Sequence, residues 1–478
     1  MMRKYKGAHR NISDWVLIFL VLGIVVLALV LYGTSNLFQK SAGNNEQEGN
    51  ALKIPVLLED QNPDPNAAEF ILNAQTGQSE FVPGITTETL GYNGSYLGPV
   101  IRIRQGEKVN IHVNNNLGFP TTIHWHGLVV DGEQDGGPHQ GIQSGESWSP
   151  GFTVDQSAAT LWYHPHFIGN TADQVYYGLA GLIYVDDETS GKLNLPKDYG
   201  INDIPLIVQD RNFSKDGNFD YRVSMMGVEP GETILVNGTT EPFLEINHSK
   251  TRFRILNGSN SQNFEFGLSD GSSFQQIASD GGLLEAPFSR ESLFLAPGER
   301  AEIIVDFSMT GSDTLSLMIG NVNALEFRLS RNMKGSAAIP DTLTKLEPIT
   351  IGDNLKTRIF ELQNMGINGT INGKSFDMNR IDEEINLNET EIWVVRNLGG
   401  MMQSDGHPFH VHGTQFRIIS RDGTPPPSEE QGFKDTVYVP VGEEVRILVT
   451  FSHKGIFMYH CHILEHEDGG MMGQFRVQ

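Results

Sequence analysis

Cysteine is all but missing from this 478-residue chain, where Cys461 stands alone. A single thiol excludes an intrachain disulfide framework, and with no cysteine near the amino terminus a lipoprotein is excluded too. Basic residues are also scarce. Lys and Arg number 34 against 58 Asp and Glu, for a formal net charge of −24, so the basic surface that nucleic acid binding requires is lacking. Such a field attracts cations, and equally it serves solubility.

Charged residues are missing from one long stretch, Trp15 to Tyr32, which follows Arg3, Lys4, Lys6 and Arg10. Its length suits a membrane crossing when flanking residues help. The positive-inside rule then puts the basic tip in the cytoplasm and the remainder outside, as a single-pass cell-membrane protein. A cleaved signal peptide and secretion are the alternative. Signal cores are usually shorter, roughly 7 to 15 residues, and no clear Ala-x-Ala site follows, Ser41-Ala42-Gly43 being nearest. Ser41 to Asn50 is polar and reads as a tether.

The lone cysteine sits in His460-Cys461-His462, with His466 and Met471 downstream. A thiolate flanked by imidazoles with a thioether beyond is the ligand set of a blue copper centre. Occupation by a metal also removes the liability of a free thiol outside the cell. If Tyr459 to Ile463 ends a β-strand, alternation sends His460 and His462 to one face and Cys461 to the other. One segment then serves two metal sites, a peptide unit apart.

Three further clusters hold histidines: His124-Trp125-His126, His164-Pro165-His166 and His407-Pro408-Phe409-His410-Val411-His412. Ten of the 15 histidines fall in these four places. The i, i+2 spacing puts each pair on one strand face, while His407 points away from His410. His407 therefore joins Cys461, His466 and Met471, leaving eight histidines for a second site. Eight imidazoles exceed the needs of one or two zinc ions and suit three coppers holding oxygen. His112 reads as structural, His139 matches no motif, and His9, His248 and His453 read as solvated.

Length implies more than one core, since single cores stop growing near roughly 250–300 residues. Short Val/Ile/Thr/Phe runs separated by Asn-Gly, Asp-Gly and Pro predict an all-β sandwich architecture. Strand, histidine pair, strand, histidine pair and closing strand occur from Pro99 to Val185 and again from Glu389 to Val477, an internal repeat. Lys250 to Phe307 repeats the strands without the histidines and reads as a copper-free spacer. The polar stretch Met333 to Thr350 reads as the connector to the last domain.

These four motifs resemble those of the multicopper oxidases. Gly413-Thr414-Gln415-Phe416-Arg417, His466-Glu467-Asp468-Gly469-Gly470-Met471-Met472, Ala278 to Leu284 and Ile371 to Asn379 are similar to the bacterial copper-efflux oxidases and laccases. The likeness runs from about Leu52 to the end. It implies three cupredoxin-like Greek-key β-sandwich domains, 51–190, 191–335 and 336–478, following the 1–50 tip, anchor and tether. The oxygen site would lie where the first domain meets the third.

The resemblance further implies four coppers per chain. The type 1 copper would be held by His407, Cys461 and His466 with Met471 axial, at a moderate potential; a core methionine is the plainer reading of Met471. His124 and His410 would hold the type 2 copper. One type 3 copper would take His126, His164 and His462, and the other His166, His412 and His460. Asp135 and Glu467 fall where the family keeps the carboxylates that supply protons for oxygen reduction, although Asp135-Gly136 also reads as a turn. Asp435 would orient a ligating imidazole, or is an ordinary strand-edge aspartate.

The chain departs from the copper-efflux pattern in two places. No methionine-rich insert precedes the third domain, since Arg331 to Asn372 holds only Met333 and Met365. The feature before His407 survives as Met401-Met402-Gln403-Ser404-Asp405-Gly406 in a shifted register. Met401, Met402 and Asp405 read as a docking point for cuprous ion, or as a polar loop with incidental methionines. The expected activity is oxidation of cuprous ion, phenols or aromatic amines with reduction of oxygen to water, in copper tolerance, by a monomer. The alternatives are a general laccase or bilirubin-oxidase-like enzyme without a copper role, and a copper-binding or structural protein without turnover. A two-domain nitrite reductase would lack the His-Cys-His oxygen site.

Overall fold

Alternation builds the strands. In Ala67–Val82, Phe70, Leu72 and Ala74 are buried while Ile71 between them faces solvent, the period-two pattern of a sheet packed on one face. The computed structural model describes residues 49–225, 227–352, 354–400 and 406–478. The anchor expected at Trp15–Tyr32, His9, and the docking residues Met401, Met402 and Asp405 lie outside the described residues. No helix among the described residues is long and apolar enough to cross a membrane.

From Asn50 onward the chain is one unit built on three all-β cores. In the first, a sheet ordered Ile85–Tyr92, Ala67–Val82, Lys108–Asn115, Ser147–Trp148 closes over one ordered Ile101–Arg104, Gly181–Asp186, Ala159–His164, His124–His126. In the third, Lys356–Met365, Thr390–Gly400 and Glu444–Thr450 form the centre of one sheet. The opposing sheet runs Glu383–Ile385, Met472–Val477, Gly455–Cys461, His407–Val411, Thr436–Val439. The two histidine-bearing sheets thus follow one plan, as the internal repeat predicts.

The middle core packs a six-stranded against a seven-stranded sheet, with Phe253, Phe266, Ile303 and Phe327 fully buried between them. It is not merely a spacer. Arg254 on Lys250–Asn257 reaches Asp203 with two bonds of 2.8 and 2.9 Å, and also Thr160 Oγ1 of the first core at 3.0 Å. Its guanidinium lies 4.0 Å from the centre of the Tyr184 ring. Glu302 accepts from Thr160 at 2.6 Å and is paired with Arg252 and Arg254. The middle core is therefore welded to the first by buried charge. Between Lys334 and Lys356 the described residues form no strand, and Leu343 tucks against Ile277 and Ile304 of the middle core.

Burial works to raise the Glu302 pKa, but Arg252 and Arg254 outweigh it and hold the carboxyl at about 2 rather than 4.5. The folded state then binds fewer protons than the unfolded one. This group's contribution, about 3 kcal/mol, is complete above about pH 4.5 and is lost as the pH falls towards 2. Arg254→Met leaves Asp203 without its fork and is expected to cost about 3–5 kcal/mol at pH 7. The urea midpoint measures it; an unchanged midpoint would mean that the network adds no net stability.

Candidate metal centre

Strand register sets the first layer of the site. His124 lies opposite His164 and His126 opposite Trp162, while His410 lies opposite His460 and Phe409 opposite Cys461. Side chains facing one way along His407–Val411 alternate, so His407 shares the Cys461 face and His410 the other. One expectation needs correction. The strand ends at Cys461, and His166, His412 and His462 all sit just past their strand ends. These three rings nevertheless lie beside their partners His164, His410 and His460.

Eight imidazoles meet in this way, none more than 1% exposed. His124 stacks on His412 and His126 on His410, each pair with ring centres 3.7 Å apart. First-core and third-core histidines thus interleave. His166 Nε2 lies 3.2 Å from His460 Nε2, which is 3.1 Å from His412 Nε2. His166, His412 and His460 therefore form one tight group. His126 and His164 group instead with His124, and the His462 ring lies 5.0 Å from His126 and 5.3 Å from His164. Trp162 stacks on His164 at 4.0 Å and closes that side.

The outer nitrogens decide the inner ones. Nδ1 donates to the Asp135 carbonyl from His124 (3.0 Å), to the Pro165 carbonyl from His164 (2.8 Å) and to the Asp435 carbonyl from His410 (2.8 Å). His412 donates to Asp135 Oδ2 at 2.7 Å and His460 to the Cys461 carbonyl at 2.9 Å. A carbonyl or carboxylate only accepts, so in these five rings the proton is on Nδ1 and the Nε2 lone pair faces the centre. His126 is reversed. Its Nε2 donates to Asp435 Oδ1 at 2.9 Å, turning Nδ1 inward.

Asp135 thus touches ligand-type imidazoles directly and stands in a turn as well, where a Cβ on Gly136 (φ +79°) would collide with the Ile123 carbonyl. Glu467 carboxylate oxygens lie 3.3 Å from His166 Nδ1 and 3.2 Å from His460 Nδ1. Burial pushes the Glu467 carboxyl well above the usual range.

The second cluster is Cys461, His407 and His466, all buried. His407 Nδ1 lies 3.4 Å and His466 Nδ1 3.7 Å from the sulfur. His466 rides on the short helix Leu464–Asp468, whose Asp468 accepts from the amides of Thr171 and Ala172 in the first core. Met471 is fully buried, its carbonyl accepts from the Cys461 amide at 3.1 Å, and its side chain presses on Gly369, where a Cβ would come within 2.8 Å of the sulfur.

Both clusters fit an imidazole-binding cation, and the Cys461 cluster a thiophilic one. Burial, reinforced by neighbouring imidazoles, lowers the pKa of the His126, His164, His166, His410, His412 and His460 rings well below the usual value. His407 and His462 fall to about 3 and His466 to about 4, again through burial. Neutral rings are what a metal needs. Burial pushes the Cys461 thiol up, so a thiolate there requires a bound cation. His124 Nε2, His410 Nε2 and both nitrogens of His462 are buried without a hydrogen-bond partner, a costly state unless a further group engages them.

Outside the motifs, spacing gave no hint of what surrounds them. Arg300 of the middle core pairs with Asp435, and a Cβ on Gly298 (φ +83°) would come within 2.9 Å of the His462 ring. A cleft of about 170 Å³ beside His466 is lined by Ser261, Gln262 and Asn263 of the middle core with Ile367, Gly406 and Glu465. Glu465 accepts from Tyr221 at 2.5 Å and from Asn260 at 3.0 Å. Of the remaining histidines, His112 bonds Ser149 and Glu69, and His139 bonds Gln474. His248 and His453 are half-buried rather than solvated.

Multicopper oxidase family profiles match residues 73–190, 196–328 and 340–478. The multicopper oxidase mco of Staphylococcus haemolyticus is 42% identical over 435 residues, covering 91% of this chain and 94% of that protein. The cell division protein FtsP of Escherichia coli is 34% identical over 448 residues, covering 89% and 92%. The crystal structure of a laccase from Pediococcus acidilactici superposes with a TM-score of 0.87 at 37% identity, covering 91% of this chain and 95% of that one.

Proposed function

The chain belongs to the multicopper oxidases, and on that premise we propose that it oxidises cuprous ion by single electrons at the Cys461 side and reduces oxygen to water at the eight-histidine side, in the service of copper tolerance. Four electrons and four protons are consumed per oxygen, yielding two waters. Copper, when bound, supplies the one-electron couples at both places and the binding of oxygen at the second. In this reading His407, Cys461 and His466, with Met471, would hold the type 1 ion. His124 and His410 hold the type 2 ion. The type 3 pair takes His126, His164 and His462 on one side, and His166, His412 and His460 on the other. What supports it is the completeness of the donor set, with the inward lone pair fixed by an outward acceptor in six of the eight rings.

The chain's own residues divide the remaining work. Cys461 is bonded in sequence to His460 and His462, so one short stretch of backbone would link the two metal sites. Asp135 and Glu467, each touching two imidazoles, stand where protons must be delivered. The carrying observation for the donor is the cleft on His466: about 170 Å³, polar, and lined in part by Glu465. That room and lining favour a small cation over a bulky phenol. Met401, Met402 and Asp405, next to His407 in sequence, add soft and acidic donors to this reading. The apolar run Trp15 to Tyr32 supports a membrane anchor with the oxidase units on the extracytoplasmic side.

A general laccase is the second reading, favoured by the likeness to the Pediococcus laccase. Oxygen uptake by the copper-loaded protein with cuprous ion and with dimethoxyphenol separates the two. Cuprous turnover well above phenol turnover is expected, and the reverse order would replace this donor by phenols. Cys461→Ser should abolish the blue colour and turnover while leaving the fold intact, read by absorption and circular dichroism; retained turnover would sink the assignment of electron entry. Asp135→Asn should slow reoxidation by oxygen about 10²-fold or more and spare reduction of the blue centre, measured by stopped flow. Equal slowing of both steps would argue against a proton role.

A further inference from the structure

We infer that Arg300, from the core without copper motifs, is a positioning residue for the eight-histidine site, acting through the Asp435 carboxylate to fix which nitrogen of His126 faces the centre and to hold that carboxylate 3.6 Å from His410 Nδ1. This rests on the copper assignment proposed above.

The guanidinium is fully buried, and each of its five N–H groups has an acceptor. Two go to the carboxylate, Nη1 to Asp435 Oδ1 at 2.7 Å and Nη2 to Asp435 Oδ2 at 2.6 Å. Three go to backbone carbonyls: Nε to Thr160 at 3.1 Å, Nη1 to Gly298 at 3.0 Å and Nη2 to Asp280 at 3.2 Å. The acceptors belong to all three cores, Thr160 to the first, Gly298 and Asp280 to the middle, and Asp435 to the third. A fork saturated in this way cannot rotate without breaking a bond to one of them.

Asp435 is clamped as a result, and its free acceptor capacity is aimed at the site. Oδ1 accepts from His126 Nε2 at 2.9 Å and from Thr436 Oγ1 at 3.0 Å, and the Asp435 carbonyl accepts from His410 Nδ1 at 2.8 Å. His126 is the ring whose polarity is reversed, and this carboxylate is what reverses it. Gly127, directly after His126, makes the room: a Cβ there would come within 2.6 Å of Asp435 Oδ2 and 3.0 Å of Arg300 Nη2. Lysine cannot replace the fork, because a single ammonium offers three donors from one point.

A purely structural Arg300 would stabilise the contact of the three cores and leave the metal spectrum alone. The test compares the full-length, copper-loaded parent with Arg300→Lys and with the double variant Arg300→Met/Asp435→Asn. The double variant removes both charges together, so no lone buried ion remains to unfold the protein. Copper per chain, blue absorption, the type 2 electron paramagnetic resonance spectrum and the melting temperature of the metal-free protein are recorded. Both variants should keep the blue absorption yet show an altered type 2 spectrum and a loss of about 10–100-fold in trinuclear copper affinity or oxygen reduction. If Arg300→Lys does not fold, the double variant decides. A parent-like type 2 spectrum and copper content in the folded variant overturns the inference, whatever the melting temperature. A parent that binds no type 2 or type 3 copper overturns the function proposed above and this inference with it.

Discussion

Eight imidazoles packed into a buried interface set the terms for everything around them. A buried polar nitrogen without a partner costs about 1–3 kcal/mol, so each ring must give its proton outward and find something for its inward lone pair. For six of the eight the outward half is visible: carbonyls of Asp135, Pro165, Asp435 and Cys461 and the carboxylates of Asp135 and Asp435 take the protons. The inward half is left for metal. Since the rings interleave across the first and third cores, neither core can satisfy the constraint by itself, and the contact between them is part of the site.

The same economy joins the two clusters. His460, Cys461 and His462 are consecutive, and the ladder that pairs Phe409 with Cys461 also pairs His410 with His460. A shift of one residue in that register would exchange the faces and separate cysteine from His407. Both clusters therefore depend on one correct strand pairing, locked by the buried aromatic core of Phe360, Trp393, Tyr459 and Phe475 behind it.

Much of this was legible in the sequence. Local spacing carries information about strand faces, so the division of His407 from His410 and of Cys461 from its neighbours could be read directly, and turn dipeptides with short apolar runs marked the β architecture. Strand ends are less legible: the strand expected to run through Ile463 ends at Cys461, which leaves His462 just past it. Arg300 was not legible at all. Nothing in Pro297-Gly298-Glu299-Arg300 advertises a partner at Asp435, because a tertiary ion pair leaves no periodic trace. The wall of the His466 cleft, drawn from Ser261 to Asn263, was hidden for the same reason, and the middle core read as a spacer until its side chains could be followed.

The interleaving of the two histidine-bearing cores carries a consequence for biogenesis. His124 to His166 precede residues 191–335 and His407 to His466 follow them, so during synthesis the first four imidazoles emerge long before their counterparts exist. Contacts this distant in sequence form late. Until the carboxyl-terminal core closes, the amino-terminal half offers an incomplete cage on an open face, and metal taken up then would lack half of its ligands. Correct loading is thereby tied to completion of the polypeptide: the cage itself serves as the checkpoint that the chain has been finished and folded.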